Sequence, residues 1–350
     1  TPLDQSVAWL SGRTKGQARQ HVLQQLASGE APLVVGTHAL FQDDVLFHRL
    51  GLIIVDEQHR FGVHQRLSLA DKGVGDEHPH QLALTATPIP RSLAMVAYGD
   101  LDCSVIDELP PGRKPVTTTL MDHTRRNAVM RRVGSACREG RQAYWVCTAI
   151  EESDTLDIEA AEATLDQLQQ ALPDVRIGLV HGKLKPAEKA TVMAAFKAGE
   201  LQLLVATTVR GVGVDVPSAS LMIIDNAERL GLAQLHQLRG RVGRGAVDSH
   251  CLLLYRQPLS DTAQQRLKVM QESHDGFVIA EADLEIRGPG ELLGTRQTGL
   301  AAFRIALLPE HEPLLIEAQE IAAKLYERDP GRAQALMQRW AGARADFARV

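Results

Sequence analysis

A chain of 350 residues with 44% hydrophobic residues is long enough for two or three domains, each with its own core. Its formal net charge of −5 excludes a strongly basic protein, so the overall charge does not point to nucleic acid. No apolar run reaches the ~18 residues of a membrane helix, and no signal peptide opens the chain. The four scattered cysteines, Cys103, Cys137, Cys147 and Cys251, form no C-x-x-C pair. We therefore expect reduced thiols, a cytoplasmic protein and no membrane partner.

Apolar runs of strand length alternate with helical patterns along most of the chain. The predicted strands are 32–38, 50–56, 81–87, 142–148, 175–182, 201–208, 220–226 and 250–255. Helical patterns fit 156–172 and 186–198, the second opening on Pro186 and closing on Gly199. Nearly continuous Val, Ile and Leu runs separated by helices are typical of parallel strands buried on both faces, so the sequence predicts an α/β protein.

Two features divide the chain. The Pro-Pro-Gly segment at 110–112 cannot continue a helix, so it predicts a linker between two α/β units. From about residue 259 the strands stop, and 305–347 is predicted to be helical. The predicted boundaries therefore give three regions, 1–112, 113–258 and 259–350.

The charge is uneven near the linker. Eight basic residues stand against only Asp122 and Glu139: Arg113, Lys114, Arg125, Arg126, Arg131, Arg132, Arg138 and Arg141. On charge alone we favour a solvated helix face, and a surface that faces phosphate groups remains the alternative.

The stretch "LGLIIVDEQHRFG" ends an apolar strand on two adjacent carboxylates, Asp56 and Glu57. Ligands of parallel α/β sheets bind beyond the carboxyl ends of the strands. One carboxylate there can hold a hydrated Mg²⁺, while the next orients or deprotonates a water that attacks phosphate. The alternative is a helix cap or a surface turn. "LTATP" places Thr85 and Thr87 at the end of the next strand, where they either relay a conformational signal or cap a helix.

The stretch "QLRGRVGRG" places Arg241 and Arg244 three residues apart among glycines. On a helix this spacing would put both guanidinium groups on one face. Two such groups suit a polyphosphate whose charge grows in the transition state, and structural salt bridges are the alternative. A carboxylate pair on one unit and an arginine pair on the other imply a nucleotide between them.

These motifs resemble those of superfamily 2 helicases and, among them, the bacterial RecG family. "VDEQHRFG" is similar to motif II, "LTATPIPRSLA" to motif III and "VGTHAL" to motif Ib. The long stretch from "LVATTVRG" to "RGRVGRG" is similar to motifs V and VI, and 283–306 to the family's translocation motif. The resemblance implies two RecA-like parallel-sheet helicase domains, the first truncated at its N-terminus. A helical C-terminal region with a translocation hairpin follows them.

The resemblance also implies roles in ATP and Mg²⁺ chemistry. Asp56 would bind Mg²⁺ through water and Glu57 would activate the attacking water, with Thr85 and Thr87 beside the nucleotide. Gln58 and His59 would couple the nucleotide to the DNA. In the second domain, the resemblance implies that Gln237, Arg241 and Arg244 contact the nucleotide phosphates, one of the two arginines serving as arginine finger. In motif V, Gly213 would lie at the nucleotide, and Asp215 would either contact the ribose or bridge to the DNA surface of the second domain.

For DNA, the resemblance implies that Gly36, Thr37 and His38 face the backbone. Arg287, Arg296 and Gln297 would lie in the hairpin and loop that turn domain closure into movement along duplex DNA. The non-functional alternative for the glycine-rich "GPGELLGTRQTG" is a flexible surface loop. Arg210 and Gly211 replace the family's usual Ile-Glu in motif V. That change either disturbs coupling or adds a phosphate contact.

One expected motif does not occur in this sequence. There is no G-x-x-x-x-G-K-[ST], and "SGRTKGQ" (11–17) fails its spacing. Because the chain also starts at Thr1, we expect that it begins partway through the first motor domain. The family's Walker A loop and N-terminal wedge domain would then be missing, and this chain alone should not hydrolyse ATP.

The leading interpretation is the motor of a monomeric, ATP-dependent translocase of branched double-stranded DNA. Its substrates would be forks and Holliday junctions, which it would remodel by branch migration and fork regression. Its protein partner would be single-stranded DNA-binding protein. One alternative is the motor of the transcription-repair coupling factor, which needs RNA polymerase. The other is a non-catalytic DNA-binding module.

Overall fold

The computed structural model describes residues 5–57, 72–73, 79–85, 102, 104–106, 108, 110, 113–148, 154–207, 216–245, 247–287 and 308–341. The chain divides into two compact units. Unit 1 comprises Thr1–Ala86 and Leu293–Val350, and unit 2 comprises Thr87–Leu292. The predicted boundaries near residues 112 and 258 stay predictions.

The strands, in chain order, are β1 Val7–Leu10, β2 Leu33–Gly36, β3 Leu52–Val55, β4 His80–Ala83, β5 Thr117–Asp122, β6 Gln142–Val146, β7 Ile177–Val180, β8 Leu203–Ala206, β9 Ala219–Ile224 and β10 His250–Tyr255. The helices are α1 Gly16–Ser28, α2 Arg126–Arg138, α3 Asp154–Ala171, α4 Pro186–Lys197, α5 Leu232–Arg239, α6 Asp261–Glu272, α7 Gly276–Arg287, α8 Leu308–Arg328 and α9 Pro330–Ala341. Every predicted strand is present at its place, and β1 and β5 are additional.

Unit 2 is built on one parallel sheet in the order β5-β10-β9-β6-β8-β7. Successive side chains of a strand point to opposite faces, so Tyr144 and Val146 pack in one core while Ala143 and Trp145 pack in the other. Helices α6 and α7 contribute Leu267, Met270 and Ile279 to the first of these cores. The prediction of parallel strands buried on both faces is confirmed for this sheet.

Unit 1 contains two parallel pairs, β1–β2 and β3–β4. Helix α1 covers one face of the first pair, where Leu10 and Leu26 are buried. The other face of that pair exposes its apolar side chains, Val7, Trp9, Leu33 and Val35. On the second pair, Leu52, Ile54 and Leu82 are likewise exposed. The expectation of burial on both faces is therefore wrong for the described strands of unit 1, because only one face of the first pair packs against a described helix.

The described part of 305–347 is helical, as predicted, and it contains two helices. Helix α8 ends at Arg328 and α9 begins at Pro330. Proline has no N–H to donate and its ring obstructs a preceding helical turn, so it suits the first position of a new helix. The Asp329 side chain accepts a hydrogen bond from Arg332 N (3.0 Å) and satisfies one N–H of the first turn of α9.

The basic segment divides between surface and core. Helix α2 exposes Arg131, Arg132 and Arg138 as the favoured interpretation predicts, but Arg126, its first residue, is buried. Arg126 was wrongly grouped with the solvated face, because its guanidinium pairs with a carboxylate far away in sequence.

Cys137, Cys147 and Cys251 are buried thiols, as expected of structural cysteines. Burial raises the pKa of the Cys137 thiol to about 11 and that of Cys251 to about 12. Both thiols are therefore protonated at neutral pH and poor nucleophiles. Over the part of the chain that the structure describes, no helix is long and apolar enough to cross a membrane.

Candidate functional site

The carboxylate pair lies where the sequence predicts it, directly after β3. Asp56 is exposed, and its Oδ1 accepts a hydrogen bond from the backbone N–H of Glu57 at 2.8 Å. Glu57 has a left-handed backbone (φ 54°) and a half-buried side chain. A non-glycine residue in this region is uncommon and is enriched at functional sites. The turn therefore separates the two carboxylates, one toward solvent and one partly enclosed.

Thr85 follows β4, the parallel neighbour of β3, and is exposed. The carboxyl ends of paired parallel strands meet at one edge, so Thr85 belongs to the edge that carries Asp56. At the end of β2, Thr37 and His38 are also exposed. Close packing explains the glycine at position 36, because a Cβ there would collide with the backbone oxygen of Leu10. Thr37 and His38 are accessible to a ligand, while the glycine allows β1 and β2 to approach.

A lone exposed carboxylate such as Asp56 fits a Mg²⁺ ion that keeps several waters and is shared with phosphate groups. A dedicated protein cage would need more ligands. Among the described residues, no group of three or more His, Cys, Asp or Glu side chains could hold a metal ion.

The second predicted group surrounds the end of α5. Gln237 is half-buried on this helix. Arg241 and Arg244 do not share a helix face, contrary to the spacing-based expectation. Helix α5 ends at Arg239, and the backbone N–H groups of Arg241 and Val242 close tight turns on Leu238 O and Arg239 O. The two arginines therefore lie in a turn, with Arg241 half-buried and Arg244 exposed.

Glycines make this turn possible. Gly243 has a φ of 79°, and a Cβ built on it would lie 2.6 Å from Val116 Cγ2. A Cβ on Gly245 would lie 2.5 Å from Pro217 O. The side chain of Val242 is fully buried and anchors the turn in the core. Because the backbone is closely packed at Val242, Gly243 and Gly245, the Cα positions of the two arginines are fixed.

Buried basic groups lie behind the turn. Arg239 is 4% exposed, and its Nη1 donates to the backbone oxygens of Met270 (2.9 Å) and Ser273 (2.7 Å). Its Nη2 lies 3.1 Å from Nδ1 of His236. Burial, and then the charges of Arg239 and Arg113, lower the pKa of His236 to about 4. His236 is therefore neutral at pH 7, and the positive charge of this region resides on the guanidinium groups.

A buried ionic network supports the strand end that leads into α5. The carboxylate of Asp225, directly after β9, accepts from Arg126 Nε (3.1 Å) and from Trp145 Nε1 (2.8 Å). Arg126 also donates to Gln167 (2.6 Å) and Thr164 (3.1 Å). The sequence does not predict this network, and the one local signal of it is the lone acid that ends "SLMIID".

The remaining predicted positions lie outside the described residues or side chains. Gln58, His59, Thr87, Arg210, Gly213, Asp215, Arg296 and Gln297 fall outside the described ranges. Arg287 ends α7, but its side chain is not among those described. Asp56 and Glu57 belong to unit 1, whereas Arg241 and Arg244 belong to unit 2. Their meeting over one nucleotide stays a prediction.

Three family models match the chain along most of its length. The DEAD/DEAH box helicase model matches residues 3–96, and the helicase conserved C-terminal domain matches residues 125–246. The model for domain 3, C-terminal, of the ATP-dependent DNA helicase RecG matches residues 273–339. The matched ranges contain the carboxylate pair, the arginine turn, α7, α8 and most of α9.

Individual relatives agree with these matches. The ATP-dependent DNA helicase RecG of Escherichia coli (strain K12) is 64% identical over 97% of this chain and 49% of its own length. The RecG of Pasteurella multocida is 58% identical over 98% of this chain and 50% of its own length. The RecG of Bacillus subtilis is 46% identical over 93% of this chain and 47% of its own length. The chain thus spans about half the length of the curated relatives it matches.

Solved structures show the same likeness. A structure of RecG bound to a three-way DNA junction is 43% identical and has a TM-score of 0.65, covering 89% of this chain and 40% of that one. A structure of the helicase MrfA bound to DNA has a TM-score of 0.56 and covers 77% of this chain and 40% of that one. Its sequence identity is only 16%, so it supports the fold alone.

The fold and the matched domains place the protein in the class of helicase chains with RecA-like α/β domains. Within that class, the identities over nearly the whole chain show that it belongs to the bacterial RecG family of ATP-dependent DNA helicases.

Proposed function

We propose that this chain is part of an ATP-dependent motor that moves on double-stranded DNA and remodels forks and branched recombination intermediates. The observation that carries the proposal is the placement of its motifs. Asp56 and Glu57 follow β3 in the region that matches the DEAD/DEAH helicases, and Arg241 and Arg244 follow α5 in the region that matches the helicase C-terminal domain. In this proposal, each of the two matched regions supplies part of the nucleotide chemistry.

Each side chain has a chemical role in this proposal. Bound Mg²⁺ would neutralise charge on the ATP phosphates, and Asp56 would hold it through water. Glu57, half-enclosed by its left-handed turn, would orient the attacking water and accept its proton. Arg241 and Arg244 would donate to phosphate oxygens whose negative charge grows in the transition state. Thr85 would contact the same site from the next strand.

Branched DNA is the proposed substrate because the similar RecG structure carries a three-way junction. Thr37 and His38 are exposed at the end of β2 and would meet the DNA backbone, and Arg287, Arg296 and Gln297 would act in the translocation hairpin. We further propose a monomer that works in the cytoplasm, where bacterial chromosomal DNA lies, with single-stranded DNA-binding protein as its partner. The RecG matches favour this function over the transcription-repair coupling factor.

The test compares the full-length natural protein with its Glu57→Gln variant on a synthetic fork. We expect DNA-stimulated ATP turnover and fork unwinding in the unmodified protein. Glu57→Gln should abolish turnover and leave fork affinity unchanged, because it removes the proton acceptor without changing the DNA surface. Glu30→Gln, which alters an exposed carboxylate of the same unit, serves as the matched control and should keep full turnover. An unmodified protein that binds forks without any ATP turnover would favour the non-catalytic module.

A further inference from the structure

One backbone oxygen beside the arginine turn has two guanidinium donors. Gly240 O accepts a hydrogen bond from Arg244 Nε at 3.4 Å and from Arg113 Nη2 at 3.3 Å. Gly240 directly follows α5, and the last carbonyl groups of a helix have no partner within the helix. Arg113 comes from "PPGRKPV", the segment that the sequence predicts to join the two α/β units.

The backbone holds Arg113 beside the turn. Its N–H donates to Pro110 O at 3.0 Å, and four residues later Thr117 N donates to Ser249 O at 3.0 Å. Between them, Val116 is buried at 8% exposure and packs against the position of Gly243. The segment therefore lies along the same loop that carries Arg241 and Arg244.

The next residue of the segment makes a different kind of contact. Lys114 Nζ pairs with Asp248 at 2.8 Å, and both side chains are more than half exposed. An exposed pair of this kind contributes little to stability. Arg113 and Lys114 are thus adjacent cations in one segment, and the hydrogen bond to Gly240 belongs to Arg113.

We infer that Arg113 is a positioning residue for Arg244, holding the Gly240 carbonyl when the Arg244 guanidinium leaves it for the nucleotide phosphates in the transition state of ATP hydrolysis. This inference rests on the proposed function, in which Arg244 contacts those phosphates. Without Arg113, the move of Arg244 would leave the carbonyl with neither of its two guanidinium donors.

The consequence should appear in the chemical step. A polar group that loses its partner favours the arrangement in which it still has one, so without Arg113 the Arg244 guanidinium would be held back on Gly240. An interaction made only in the transition state affects kcat more than KM. Arg113 would thus connect the predicted linker to the arginine turn, and a change in the linker could alter ATP turnover.

The experiment measures DNA-stimulated ATP hydrolysis by the full-length protein with saturating fork DNA. We expect Arg113→Ala to lower kcat by about fivefold or more, with KM for ATP within about twofold. Arg113→Lys keeps one charged donor and should recover part of the loss. Lys114→Ala is the matched control and should keep the kcat of the unmodified protein. Thermal unfolding midpoints of all variants, followed by circular dichroism, confirm that each is folded at the assay temperature.

A second comparison tests the dependence on Arg244. In an Arg244→Ala background, Arg113→Ala should have no further effect on kcat, because the guanidinium that it positions is gone. The inference is overturned if Arg113→Ala keeps kcat within about twofold, if Lys114→Ala loses as much, or if the Arg113 and Arg244 effects multiply. No DNA-stimulated turnover in the unmodified protein would overturn the proposed function as well. Normal turnover with an unaffected Arg113→Ala variant would overturn this inference alone.

Discussion

At the scale of single residues, Asp225 shows how the chain places a charge in its core. Its side chain is 7% exposed and that of its partner Arg126 is 11% exposed. The Arg126 guanidinium also lies 5.2 Å from the ring centroid of Trp145, close enough for a cation–π contact. The pair fixes the start of the turn at Asn226, whose left-handed backbone (φ 50°) leads the chain toward α5.

Asp225→Asn in this chain should lower the free energy of unfolding by about 3 kcal/mol, because it leaves the buried Arg126 charge without its carboxylate. Urea unfolding at pH 7 measures this loss. Arg126→Ala should destabilise comparably. Arg131→Ala, an exposed arginine of the same helix, should leave the midpoint unchanged. Equal midpoints for Arg126→Ala and Arg131→Ala would show that the buried pair does not stabilise the fold.

His236 gives the protein a pH-dependent contribution to stability. Its folded pKa of about 4 is below its ordinary value of 6.5, first because of burial and then because of Arg239 and Arg113. The unfolded chain therefore binds more protons than the folded chain between these two values. The stabilising contribution is complete above pH 6.5 and is lost as the pH falls toward 4.

This contribution can be isolated by substitution. The difference in urea midpoint between the unmodified chain and His236→Gln should shrink as the pH falls from 7 to 4. Subtracting the two profiles removes the titration of the carboxylates that both chains share. A difference that stays constant over this range would contradict a depressed pKa for His236.

At the residue scale, the sequence predicts positions where a local rule applies. Asp56 and Thr85 follow the ends of two paired parallel strands as predicted, and their roles toward a ligand stay predictions. The pairing of Arg126 with Asp225 was missed because the two residues lie 99 positions apart. No local pattern reports such a partner. Arg113 was noted only as one charge among eight, since its acceptor, Gly240 O, lies 127 positions away.

At the scale of elements, the buried strands could be predicted from the sequence, whereas the short strand β1 and the polar edge strand β5 could not. Strands β6, β8 and β9 are entirely buried, so their apolar runs identify them. Among the described strands, β5, "TTTLMD", lies at the edge of the sheet beside β10, so it can be polar. Strand β1 has only four residues, which alternate between exposed and buried positions. So short an alternation does not distinguish a strand from a loop in the sequence.

The turn after α5 depends on glycine for two separable reasons. Gly243 and Gly199 have nearly equal φ values, 79° and 78°, but a Cβ on Gly199 would meet open space. Gly199→Ala should therefore cost only the left-handed penalty, about 1 kcal/mol. Gly243→Ala should cost about 1 kcal/mol more, because Val116 must move to admit the methyl group. Urea unfolding of both variants measures the difference, and equal losses would contradict close packing at Gly243.

At the scale of the whole molecule, the sequence of this chain contains the residues proposed to act on ATP but no Walker A pattern. We expect the purified 350-residue chain to show no ATP turnover, with or without fork DNA. Its sequence contains no G-x-x-x-x-G-K-[ST] to position the phosphates. A coupled-enzyme assay measures this directly. Steady, DNA-stimulated turnover that persists through size-exclusion chromatography would contradict the prediction.

The most direct test of the central proposal is a double-mutant cycle between Glu57 and Arg244 in the full-length protein. If both side chains act on one nucleotide, Glu57→Gln and Arg244→Ala should each lower the kcat of ATP hydrolysis by about 100-fold or more. The double variant should be no slower than the slower single variant, because the second change removes a contribution that the first has already lost. Effects that multiply, or a single variant with the turnover of the unmodified protein, would show that the two residues do not serve one site.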